Sequence, residues 1–142
     1  MVSPKPKKVM CFGTFDLLHP GHLSYLQQAK KHGDYLIVVL ARDKTKLKLK
    51  KKPLFQEKER LKLIQHLDLV DKAVLGDLND YFKIIHKHQP DTICLGYDHK
   101  IKINNLMNQL AKRGLQPKIK RMKPHKRHKY KSSKLKKASS KN

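Results

Sequence analysis

The sequence predicts an α/β fold: a Rossmann-like, doubly wound parallel sheet in a single domain. Three observations carry this. Short continuous apolar runs, such as YLIVVLA over 35–41, recur along the chain. Continuous rather than alternating apolarity marks strands covered on both faces, as in parallel sheets. Segments with the spacing of amphipathic helices lie between the runs, and strand–helix alternation implies right-handed crossovers. The length, 142 residues, suits one core.

The elements follow in order. After a basic lead-in over 1–7, Lys8–Gly13 (KVMCFG) reads as a buried strand and 14–20 as a turn. Helical spacing over 21–32 puts Leu23, Leu26 and Ala29 on one face, with Gly33 as the stop signal. The strand at 35–41 leads into a basic loop, 44–53, and then a helix over 56–66 carrying Leu61 and Ile64. A strand at Lys72–Leu75, a helix over 79–88 and a strand at Thr92–Leu95 continue the alternation. A helix over 102–113, closed by Gly114, and a strand-like segment over 117–122 complete it. The domain is therefore drawn at 8–135, with 136–142 as a polar, basic tail that lacks apolar periodicity and reads as disordered.

Composition narrows the function classes. The chain has 34 Lys and Arg against 11 Asp and Glu, a net charge of +23. Such a surface attracts anions and implies weak, nonspecific nucleic-acid binding. Aromatic residues are only 6%, Trp is absent, and no aromatic–basic alternation suited to base stacking occurs, which disfavours nucleic-acid binding as the main function. No apolar run approaches the roughly 20 residues of a membrane span, and the apolar stretch after MVSPKPKK is too short for a signal sequence. A cytoplasmic protein without membrane contact is expected. Cys11 and Cys94 sit inside apolar runs and read as small core residues rather than as a disulfide or zinc site.

The chemistry concentrates in Gly13-Thr14-Phe15-Asp16-Leu17-Leu18-His19-Pro20-Gly21-His22. It leaves the first strand and opens the first helix. Ligands of doubly wound sheets bind at the carboxyl ends of strands, where a helix N-terminus offers unpaired N–H groups to phosphate. Gly13 would let a ligand approach the backbone. His19 and His22 project to one side of the first helical turn, placed to donate to phosphate oxygens that gain charge in a transition state. A metal half-site is the weaker alternative, because no third ligand stands nearby in the sequence and zinc takes three or four. Chance surface histidines are disfavoured by the GTFD that precedes the pair.

GTFDLLHPGH resembles the signature of the cytidylyltransferase-like nucleotidyltransferases, with their HxGH motif. The resemblance runs from about Lys8 to Leu135. It includes GDYLIVVLARD, Arg60 in EKERLKLI, the Gly96-Tyr97-Asp98 turn, and Tyr130-Lys131-Ser132-Ser133-Lys134, which is similar to the family's Ser/Thr-rich second signature. VVLARDKT, VDKAVLGD, PDTICLGYD and YKSSK resemble the archaeal type of FAD synthase more than glycerol-3-phosphate cytidylyltransferases. A lysine of the cytidylyl branch falls here on Leu49, flanked by Lys48, Lys50 and Lys51, and that branch's arginine falls near Lys126 and Arg127.

The resemblance implies transfer of a nucleoside monophosphate from ATP or CTP to a phosphate-bearing acceptor, with release of pyrophosphate. It places His19 and His22 on the α- and β-phosphates. Thr14 and the backbone of Gly13–Phe15 hold the triphosphate, and Lys51 or a neighbour in 44–52 neutralises phosphate charge. Ser132 and Ser133 cradle the outer phosphates, while Asp98, after Gly96, faces the ribose or a metal-bound water. Mg2+ would arrive with the nucleotide and take no direct protein ligand. Asp16 is an outer-sphere candidate or the cap of its own turn. Arg60 is either a site residue or a surface ion-pair partner of Glu57. Relatives of this kind are often dimers, which makes a homodimer one candidate assembly, with the first helical layer as a candidate interface.

Overall fold

A computed structural model describes residues 5–44, 53–77 and 80–124. It contains five strands, β1 (Lys8–Gly13), β2 (Tyr35–Leu40), β3 (Lys72–Leu75), β4 (Thr92–Leu95) and β5 (Lys118–Arg121). Four helices connect them: α1 (Pro20–Lys30), α2 (Glu57–Gln65), α3 (Tyr81–His88) and α4 (Ile103–Ala111). The strands form one parallel sheet in the order β3-β2-β1-β4-β5. The chain winds outward from β1 to β3, returns across the sheet, and winds the other way from β4 to β5. The strand order thus reverses between β1 and β4, where a doubly wound sheet opens its ligand crevice.

The burial of β2, from Leu36 to Leu40, explains its unbroken apolar run. Alternate strand residues enter two cores. Cys11, Leu36, Val38 and Cys94 meet Leu26 and Ala29 of α1 and Ile64 of α2 on one face. Met10, Ile37, Val39, Ile93 and Leu95 meet Ile85 of α3 and Leu106 and Leu110 of α4 on the other. Both cysteines are buried free thiols, side by side in the β1–β4 register. Burial pushes the Cys94 thiol up to about 11 and the Cys11 thiol higher still, which keeps both unreactive.

Two sequence expectations are revised and the role of Gly33 is sharpened. Leu23 does not join the buried face of α1 and is 37% exposed, while Leu26 and Ala29 are fully covered. Gly33 follows the end of α1, as its stop-signal reading expects, although the cap itself is Lys31 in right-handed conformation. Gly33 is needed for a close approach: a Cβ there would lie 2.6 Å from the Lys7 carbonyl oxygen, which accepts the N–H groups of Asp34 and Tyr35. On α2 the fully buried partner of Ile64 is Arg60, with Leu61 only part-covered. No helix among the described residues is long and apolar enough to cross a membrane.

Candidate active site at the β1–β4 switch point

The crevice begins where β1 and β4 part. Their pairing ends at Cys11–Cys94, whereas β1 stays paired with β2 as far as Gly13–Leu40. The Tyr25 hydroxyl, on α1, fills the gap. It donates to the Cys94 carbonyl at 2.6 Å and accepts from the Phe12 N–H at 3.3 Å. One side chain therefore satisfies backbone groups of both strands and fixes α1 over the opening.

The turn after β1 is held by residues distant in sequence. Phe15 takes a left-handed conformation, φ 52°, and folds its ring back over Gly13. A Cβ on Gly13 would lie 2.6 Å from that ring, so the glycine makes room for Phe15 before it can make room for a ligand. Phe15 is buried, stands edge-on to His22 with ring centroids 5.4 Å apart, and lies parallel to Tyr25 at 6.3 Å. Asp16 is buried and reaches the segment before α2. It is 3% exposed, and its carboxylate accepts the N–H groups of Leu54 and Phe55 at 2.7 and 2.8 Å.

Arg60 is not a surface residue and does not pair with Glu57. It is fully buried, donating to the Thr14 carbonyl at 2.8 Å, the Phe55 carbonyl at 3.1 Å and the Asp43 carboxylate at 2.7 Å. Glu57 pairs instead with Arg42. Asp43 and Glu57 also exchange hydrogen bonds, each carboxylate accepting the other's backbone N–H at 2.9 Å. Burial would raise the Asp43 carboxyl, but the Glu57 N–H and the Arg60 guanidinium override it and hold the group below its ordinary range. A planar guanidinium suits this role because its rigid fork of five donors can satisfy several acceptors at once.

His19 is the N-cap of α1, and Pro20 occupies the first turn, where a missing N–H costs nothing. The His19 Nδ1 accepts the Gly21 N–H at 3.0 Å. A neutral ring that accepts at Nδ1 carries its proton on Nε2, so this contact sets the tautomer and makes Nε2 a donor. Burial pushes the imidazole below its usual range, which keeps it neutral near pH 7. The His22 ring lies against it, centroids 4.0 Å apart and planes 26° from parallel.

On the opposite wall, Asp98 is exposed and its Oδ1 lies 3.4 Å from where a Gly96 Cβ would stand. The His99 Nδ1 accepts the Ile101 N–H at 3.3 Å, repeating the local turn made by His19. Burial, then the Arg121 guanidinium, push His99 below its ordinary range against an upward pull from Asp98. The structure thus places Gly13, Thr14, Phe15, His19 and His22 around one turn, and Gly96 and Asp98 on the neighbouring loop. Lys51, Lys126, Arg127, Ser132 and Ser133 lie outside the described residues. Tyr25, Asp43, His99 and Arg121 were not singled out by sequence. No group of three or more His, Cys, Asp or Glu among the described residues could hold a metal ion.

Comparison with known proteins places this geometry. Residues 10–138 match the cytidylyltransferase-like family model, and the chain belongs to that family. It is a nucleotidyltransferase. Among curated relatives, it is 47% identical over 116 residues to an FAD synthase of Ferroglobus placidus, covering 82% of this chain and 76% of the relative. It is 45% identical over 127 residues to an FAD synthase of Methanocella arvoryzae, covering 89% and 90%. A crystal structure described as the lipopolysaccharide core biosynthesis protein from Thermoplasma volcanium superposes with a TM-score of 0.83 at 43% identity, covering 84% of this chain and 98% of that one.

Proposed function

We propose that this protein is an FMN adenylyltransferase, joining AMP from ATP to FMN to give FAD and pyrophosphate. The carrying observation is the His19–His22 pair, stacked at the mouth of the switch crevice with the His19 tautomer set for donation from Nε2. FAD synthase relatives at 43–47% identity over most of the chain support ATP and FMN as the substrates.

In the reaction, an oxygen of the FMN phosphate attacks the α-phosphorus of ATP in line. A new P–O bond forms, and the bond from the α-phosphorus to the α,β-bridging oxygen breaks, so that this oxygen leaves with pyrophosphate. A phosphate monoester has a second pKa of about 6, so the nucleophile is already largely dianionic near neutrality. No general base is required, and the site's work is positioning and charge stabilisation. His19 and His22 donate to oxygens of the α- and β-phosphates. The Thr14 carbonyl is engaged by Arg60, so contact with the triphosphate falls to the Thr14 N–H and hydroxyl. Asp98 and the Gly96 backbone face the ribose. Lys51, Ser132 and Ser133, with Lys126 or Arg127, complete the phosphate cradle, as the family resemblance implies.

FAD synthases generally use a divalent metal, and we take it to be Mg2+. The described residues offer no cage for it, and the Asp16 carboxylate is committed to two backbone N–H groups. An ion of this kind would travel on the triphosphate and keep several of its waters. It supplies charge neutralisation on the phosphates when bound.

The test is a pyrophosphate-release assay crossing ATP and CTP with FMN and glycerol 3-phosphate. Turnover with ATP and FMN alone is expected. Turnover restricted to CTP and glycerol 3-phosphate would replace this reading with the cytidylyl one.

A further inference from the structure

We infer that Arg121 is a positioning residue that shapes the β4–α4 loop for nucleotide binding. Three backbone carbonyls of that loop converge on its guanidinium. Nη1 donates to Gly96 at 3.2 Å and to His99 at 2.5 Å, and Nη2 donates to Ile101 at 2.8 Å. Arg121 stands beside Leu95 in the β4–β5 register, at the last position before the chain leaves the sheet.

The consequence follows from peptide geometry. Side chains alternate along β5: Ile119 packs into the core under α3 and α4, and Met122 into the core under α1 and α2. Arg121 shares the Ile119 face. It therefore holds the loop from the α4 side of the sheet. Among the described residues every peptide is trans, so each C=O opposes the N–H of the next residue. Turning the carbonyls of Gly96, His99 and Ile101 toward Arg121 turns the N–H groups of Tyr97, Lys100 and Lys102 the opposite way. That is the face of the sheet against which α1 packs. The guanidinium thus orients backbone donors of one crevice wall toward the other wall. Its rigid fork suits three carbonyls in a way that a single ammonium cannot match.

The inference deepens the functional reading above and rests on it, since it takes the crevice to hold the nucleotide. It is tested with Arg121→Ala and Arg121→Lys in the full-length chain. Steady-state pyrophosphate release is followed with each substrate varied in turn, alongside equilibrium binding of ATP and thermal melting. Both variants should raise the KM for ATP about tenfold and lower kcat by less than about threefold, because the loop contacts persist from ground to transition state. The KM for FMN and the Tm should stay close to wild type. An unchanged KM for ATP in Arg121→Ala would overturn the inference. So would full rescue by lysine, which would reduce Arg121 to a charge. A parallel change in both KM values and kcat with a fallen Tm would make it merely structural. Failure of the functional reading looks different: wild type would turn over CTP and glycerol 3-phosphate in place of ATP and FMN, and the same variants would then be read on the KM for CTP.

Discussion

The two loops that wall the crevice use the same local device and opposite kinds of support. After β1 and again after β4, a histidine Nδ1 accepts the N–H two residues on. The β1 loop is held from inside the protein by the buried Arg60, Asp16 and the Tyr25 hydroxyl. The β4 loop is held from the rim, by an arginine on an edge strand. Buried polar braces in a low dielectric are stiff and costly to break, whereas exposed ones are screened and yield more readily. The difference suits a division of labour. On the function proposed above, the wall carrying His19 and His22 would have to keep donors within tenths of an ångström of a transition state, while the facing wall would only have to grip a nucleotide.

The largest effect should come from breaking the internal brace. Arg60→Met leaves the partly exposed Asp43 carboxylate without its guanidinium and takes a donor from the Thr14 and Phe55 carbonyls, and a buried polar group left unsatisfied costs roughly 1–3 kcal/mol. Denaturant unfolding should show that loss. Denaturation unchanged to within about 1 kcal/mol would mean that the network is incidental. The same pair predicts an acid limit. The Asp43 carboxyl is held low in the folded chain, so its contribution is complete above the unfolded value of about 3.9 and is lost as pH falls through the lower folded value. Asp43→Asn should flatten the fall in stability below about pH 4 seen in the wild type.

Next in size is the wall to which we assign catalysis. His19→Ala and His22→Ala should each lower kcat by about 100-fold or more, since a donor to a charge-gaining oxygen is worth roughly 3 kcal/mol. His19 also caps α1, so alanine there should cost a further ~1 kcal/mol of stability. His19→Asn separates the two roles, because asparagine is a good N-cap but places no donor where Nε2 stands. Stability should return with this variant and turnover should not. Recovery of both would reduce His19 to a cap.

These examples show what could be read from the chain alone. The strand limits at Lys8–Gly13, Lys72–Leu75 and Thr92–Leu95 were legible because apolar runs bounded by turn residues have one physical explanation, burial in a parallel sheet. The histidine pair could be singled out as a candidate because it sits where a strand becomes a helix. Arg60 was not legible, since a charged residue on an acidic and basic helix reads as exposed, and its partner Asp43 is remote in sequence, in the segment that follows β2. Arg121 was hidden in KIKR, which in so basic a chain looks like a solvated edge. Only the folded register places it beside Leu95 and the loop beyond. Tyr25 was masked by its helix, because periodicity reports which face is covered and says nothing of a hydroxyl at the end of the ring.

A smaller effect tests that hydroxyl. Tyr25→Phe keeps the ring against Phe15 but removes the group that bridges Phe12 and Cys94 where β1 and β4 part. A buried carbonyl and N–H left without that partner should cost about 1–3 kcal/mol. Because the two strands begin to separate there, kcat should fall several-fold as well. A variant as stable as wild type would show that water or a backbone shift replaces the hydroxyl without penalty.

The smallest effect should come from the mirror-image substitution on the rim-supported wall. His99→Asn replaces a ring that accepts the Ile101 N–H with a side chain able to accept it in the same short-range turn. Neighbouring Arg121 still holds the Gly96, His99 and Ile101 carbonyls, which belong to the backbone and survive the change. The loop should therefore keep its shape, and kcat should stay within about threefold of wild type, against a loss of about 100-fold for His19→Asn. The two variants make the same chemical change in the same local turn, so any difference between them isolates what each histidine does beyond capping. Steady-state turnover at saturating ATP and FMN makes the measurement. If His99→Asn lost turnover as heavily as His19→Asn, the second wall would carry transition-state chemistry of its own, and the assignment of catalysis to the HxGH pair would have to be widened to three histidines.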